Sequence, residues 1–89
     1  MATLSSVPAE RVDKYADEPL YLQLARILRR KIESGGLARL DPLPSESTLT
    51  QEHDVSRDTV RRAMAVLREE GLVFTIAQRG TYVGPRPGS

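Results

Sequence analysis

The apolar residues of this chain change period once, at Gly71. Upstream, Val60, Ala63, Met64 and Leu67 recur at helical spacing. Downstream, LVFTI places Leu72, Phe74 and Ile76 on one face of a strand, and AQRG followed by TYV reads as a turn and a return strand. An amphipathic helix that feeds directly into a short hairpin leaves few ways to build the rest of a core.

Two further helices precede that junction. In PLYLQLARILRRKIESGG, residues Leu20, Leu24, Ile27, Leu28 and Ile32 share one face; Pro19 suits a first turn, and Gly35 and Gly36 end the helix. Each Pro in LARLDPLPSE biases its predecessor away from helix, leaving an extended or turning link with room for a short strand near Arg39 and Leu40. Ser45 is an N-cap for a short helix over Glu46 to His53, and Asp54 tolerates a left-handed turn. Ser56 then caps a helix running to about Glu70, with Gly71 as its stop. Two helices joined by a tight turn and followed by a hairpin predict a winged helix-turn-helix. The fold class is mainly α with a small β-hairpin (α+β), three helices plus a two- or three-stranded wing.

The 89 residues accommodate one small domain. Residues 1–17 show no sustained period and read as a flexible amino-terminal arm, 18–84 as the winged domain, and 85–89 as a tail or linker remnant. The chain has no Cys, so disulfides and thiolate metal sites are excluded. It shows no signal peptide and no run near the roughly 20 apolar residues a membrane helix needs, and a cytoplasmic location is expected.

Charge divides the chain in two. Through Asp54 there are seven basic and nine acidic residues; from Val55 there are six arginines and three acids. Such asymmetry is a reason to expect a polyanionic partner. At 100° per residue, Arg57, Arg61 and Arg68 fall on one flank of the apolar stripe, and Asp58, Arg62 and Glu69 lie opposite. Asp58 and Arg62, at i,i+4, fit an ordinary surface pair worth about 0.2–0.5 kcal/mol. Arg57 and Arg61 are like charges at the positive end of a helix dipole, which phosphates would relieve and solvent would merely screen. Charge pattern alone leaves both readings open.

The stretch from Pro19 to Val83 resembles the amino-terminal DNA-binding domain of the GntR family of bacterial transcription regulators. The matching pieces are PLYLQL, LPSES, DVSRDTVRRAMAVLREEGLV and RGTYV, in order and at natural spacing. The resemblance implies duplex DNA as partner, a palindromic operator bound by two copies, repression of transcription, and no enzyme activity or cofactor. Carried over by motif position, Ser56, Arg57, Thr59 and Arg61 match recognition-helix contacts in the major groove, on a helix spanning about 57–70. The wing at 77–81, with Arg79, Gly80 and Thr81, matches the part that enters the adjacent minor groove. Ser45 and Ser47 belong to the LPSES contact region.

Three positions depart from the family pattern. Ser47 stands where a DNA-contacting Arg or another long polar residue is common, so helix two is expected to contribute less. Gln78 replaces the first Gly of the wing's G-x-G-T, and Leu40 another frequent Gly, so both turns are expected to differ. Only GPRPGS follows the wing, so the family's effector domain, the usual source of dimerisation, is expected to be absent from this chain.

Other chemistry has little support. His53 is the only His and has no Cys near it, so no metal site is expected; a partly buried or capping role fits it better. No His is spaced to activate a Ser or Thr. Met64 and Phe74 read as core, and Tyr82 as a packing residue. The alternative to DNA binding is a winged helix that docks a protein through the helix-one face or the wing.

Overall fold

The computed structural model describes residues 11–88. Among them the elements are α1 (Leu20–Glu33), α2 (Glu46–His53), α3 (Arg57–Glu69), β1 (Val73–Ile76) and β2 (Gly80–Val83). The strands form an antiparallel pair in which Val73 faces Val83 and Ile76 faces Gly80. This is the winged helix-turn-helix expected from the sequence.

Helix α1 packs chiefly against α3, and α2 closes over the same core. Leu24 and Leu28 of α1, Leu49 of α2, and Val60 and Leu67 of α3 are fully buried, each worth about 1.5–3 kcal/mol over an exposed side chain. Ala63 and Met64 complete the α3 stripe. Leu20 and Ile32, near the two ends of α1, are only half-buried. The helix ends as expected, with Gly35 at φ 89° just past Ser34.

The hairpin differs from its expected facing. Val73 is buried against the helices, whereas Phe74 is half-buried and stacks on Tyr82, with ring centroids 5.8 Å apart. Val73 is thus the one β1 residue that is buried, at the base where Leu72 N donates to Leu67 O; Thr75 is exposed, and Ile76, like Phe74, is half-buried. Phe74 and Tyr82 pack on the other side, beside Gly84, where an added Cβ would lie 2.5 Å from the Phe74 ring.

No full strand forms near Arg39 and Leu40. The chain instead meets β2 slightly later, through a bridge between Pro42 and Tyr82 and hydrogen bonds from Leu40 N to Val83 O and from Leu43 N to Thr81 O. Pro42 and Pro44 cannot donate, which limits this third edge to isolated contacts.

Of the arm expected over 1–17, residues 1–10 lie outside those described. Val12, Asp13 and Lys14 contact the helical body, whereas Tyr15 is exposed. Gln23, buried in α1, accepts from Asp13 N at 2.6 Å and donates to the carbonyls of Asp13 and Glu18. Val12 packs on the core, and Lys14 Nζ reaches Asp54 Oδ2 at 2.6 Å. The amphipathic pattern gave no reason to expect a buried glutamine; its signal is a polar residue on the apolar face, satisfied entirely by backbone.

Candidate nucleic-acid interface

Helices α2 and α3 begin the same way. Ser45 Oγ accepts from Thr48 N, and Ser56 Oγ accepts from Thr59 N, each at 3.1 Å. Each serine also donates to the threonine hydroxyl at 3.0 Å. The two serines thus cap α2 and α3, which leaves the hydroxyl proton of Thr48 and of Thr59 available to a further acceptor. Between the helices Asp54 takes φ 54°, and its N–H returns to Thr50 O. That single left-handed residue turns α3 across α2.

The arginines of α3 then separate. Arg62 Nε pairs with Asp58 Oδ2 at 3.0 Å, and its guanidinium lies 5.9 Å from the Tyr21 ring centroid. Arg57 is exposed in the first turn, and among the described residues no acceptor engages it. Arg61 is exposed, with Nε 3.3 Å from Glu46 Oε2 in α2. Arg68, about two turns further along the same flank, donates from Nη1 to Thr75 Oγ1 in β1 at 3.2 Å, and Thr75 Oγ1 lies 3.1 Å from Thr81 Oγ1 in β2.

A cleft of about 580 Å³ runs between α3, the start of α2 and the wing. Ser45, Arg61, Arg79, Gly80 and Thr81 line it together, with Arg68 and Thr75. Ser47 does not; it is exposed in the first turn of α2. Ser56, Arg57 and Thr59 also lie outside the cleft, at the amino end of α3. The sequence-derived residues therefore fall into a group at the tip of α3 and a group between helix and wing, with Ser47 apart in the first turn of α2. Arg68 and Thr75 were missed as site residues, although Arg68 shares the flank of Arg57 and Arg61 in sequence.

The wing turn is Ala77 to Arg79, closed by Arg79 N donating to Ile76 O at 3.0 Å. Gln78 sits there at φ 66°, and Leu40 before the LPSES turn sits at φ 72°. Both residues that replace a frequent glycine adopt the left-handed region that glycine favours, so the expected departure appears as backbone strain in the turn.

His53 closes α2 on the side away from the cleft. Its side chain is 7% exposed, and neither ring nitrogen has a hydrogen-bond partner among the described residues. Burial lowers its pKa, Glu52 works the other way, and Lys31 and Arg11 add to the lowering. It forms no cap. Among the described residues no group of three or more acids and histidines could hold a metal, and no helix is long and apolar enough to cross a membrane.

Residues 20–83 match the family model described as bacterial regulatory proteins, gntR family. The transcriptional repressor MngR of Escherichia coli (strain K12), of the mannosyl-D-glycerate transport and metabolism system, is 46% identical over 66 residues, 74% of this chain and 28% of that protein. The HTH-type transcriptional repressor NagR of Bacillus subtilis (strain 168) is 38% identical over 72 residues, 81% of this chain and 30% of that protein. The chain thus spans about three tenths of the length of the curated relatives it matches. Among solved structures, the AraR DNA-binding domain in complex with operator ORX1 superposes with a TM-score of 0.74 at 31% identity, covering 75% of this chain and 81% of that one.

Proposed function

The chain belongs to the GntR family of bacterial regulatory proteins, and on that premise we propose that it binds duplex DNA sequence-specifically as the DNA-binding part of a transcriptional repressor. The observation that carries this reading is the exposed pair Arg57 and Arg61 at the amino end of α3, beside a wing whose turn presents Arg79. Arg57 and Arg61 read base edges in the major groove, where a bidentate guanidinium distinguishes guanine. Thr59 donates its free hydroxyl proton to a phosphate, Ser45 and Ser56 hold the two helix tips, and Ser47 adds a weaker backbone contact. Arg79, Gly80 and Thr81 carry the wing toward the adjacent minor groove.

The operator is palindromic and is bound by two copies. A single module of this size buries a modest interface, and two half-sites raise both affinity and discrimination. The protein works in the cytoplasm, as a regulator and not an enzyme.

Fluorescence anisotropy tests the reading, comparing duplexes from the region of its own gene with random duplex at several salt concentrations. Affinity is expected to fall steeply with salt and to favour the former. Equal binding of both at physiological salt would refute sequence-specific recognition, and a salt-insensitive interaction would point to an apolar protein interface instead.

A further inference from the structure

A helix in the major groove and a wing in the adjacent minor groove are necessarily separated by one phosphodiester strand, and that strand has to cross the cleft between α3 and the wing. The cleft presents three guanidinium groups, Arg61, Arg68 and Arg79, against one carboxylate, Glu46, which is already within 3.3 Å of Arg61. Arg68 lies eleven residues beyond Arg57, about 16 Å along the helix. Base edges are read from the amino end of a recognition helix, so Arg68 is too far along α3 to read them.

Resting on the DNA-binding reading above, we infer that Arg68 is a phosphate-binding residue for this intervening strand, held in place by the Thr75 and Thr81 hydroxyls of the wing. One of its N–H groups is spent on Thr75 Oγ1 at 3.2 Å, which fixes the plane of the guanidinium; the other donors have no protein acceptor among the described residues. The Thr75 and Thr81 hydroxyls, 3.1 Å apart, tie both strands to that anchor. The same arrangement couples the wing to α3, so strand capture and wing placement depend on one cluster. The ligand is a phosphodiester, and the contact carries no sequence information.

The test compares the wild type with Arg68→Gln, Arg68→Lys and Thr75→Val, each checked for an unchanged thermal melt, on a preferred duplex and on random duplex across a salt series. Arg68→Gln should weaken both duplexes by the same factor and reduce the slope of log affinity against log salt by about 1. Arg68→Lys should keep the slope, because the charge is retained. Thr75→Val should keep the slope while weakening both duplexes together, since it loosens the anchor without removing charge. A slope unchanged in Arg68→Gln, or a loss confined to the preferred duplex, would overturn the inference. The broader reading fails on a separate result, equal affinity of the wild type for both duplexes, and the Arg68 slope can still be measured on random duplex in that case.

Discussion

Arg61 Nε lies 3.3 Å from Glu46 Oε2, so the helix proposed to read DNA is tied through one exposed ion pair to the first turn of the helix before it. In free protein the pair is worth little, because both groups are solvated. On DNA the carboxylate faces a polyanion, and Arg61 has to leave it or share it.

Glu46→Gln is therefore expected to raise affinity for random duplex, since it removes one negative charge from the cleft and frees Arg61. Discrimination should fall, because an unrestrained guanidinium samples phosphates as well as base edges. Competition binding with preferred and random duplexes measures the ratio; a ratio unchanged from wild type would show that Glu46 does not orient Arg61.

The three arginines of VSRDTVRRAM should behave differently. Arg57→Ala and Arg61→Ala are each expected to weaken specific binding by about 1–3 kcal/mol. Arg62→Ala should cost less, since Arg62 is engaged by Asp58 at 3.0 Å. Equal losses at all three positions would contradict this division.

Capping and DNA contact can be separated at Ser56. Ser56→Ala is expected to lower stability by about 1 kcal/mol, by removing the acceptor for Thr59 N. Ser56→Asp keeps an acceptor there and should hold the melting temperature near wild type, while its charge repels phosphate and lowers DNA affinity. Calorimetry paired with anisotropy reads both effects.

Leu40 and Gln78 occupy left-handed backbone at φ 72° and 66°. Leu40→Gly and Gln78→Gly should each relieve strain by about 1 kcal/mol, offset in part by the greater freedom of glycine in the unfolded chain. Urea denaturation should show a higher midpoint for at least one of them. A fall at both positions would mean that the side chains contribute more than the backbone strain costs.

Stability should fall with pH in two stages. The pKa of His53 is lowered in the folded protein by burial, so stability is unaffected by it above the ordinary histidine range and falls as pH drops through that range toward the depressed folded-state value. The pKa of Glu70 is lowered by the Arg29 guanidinium, which donates to both carboxylate oxygens at 2.8 and 2.7 Å, so its contribution is lost only at more acidic pH. His53→Leu should flatten the first stage and leave the second. The same fall through the histidine range in the variant would place its origin elsewhere.

The helices were legible in the sequence because their signals are local. Ser45, Ser56, Asp54 and Gly71 each act within a few residues, and the stripe ending at Leu67 is set by period alone. The hairpin packing was not legible: LVFTI is apolar at Val73 as well as at Leu72, Phe74 and Ile76, and only tertiary contact decides that Val73 is the residue buried. Cross-element pairs were equally hidden. Nothing local links Arg61 to Glu46, Arg68 to Thr75, or Gln23 to the backbone of Asp13, since each depends on how distant segments come together. The arginine flank could be read from helical phase, but the cleft that Arg61 and Arg68 line, and Arg57 does not, needed the wing in place.

The central claim is sequence-specific recognition of duplex DNA by α3 and the wing. Selection of bound sequences from a random duplex pool tests it most directly. The account predicts enrichment of one motif present as two inverted half-sites, with the motif degraded in Arg57→Ala or Arg61→Ala. Recovery of an unenriched pool by the wild-type protein would contradict it.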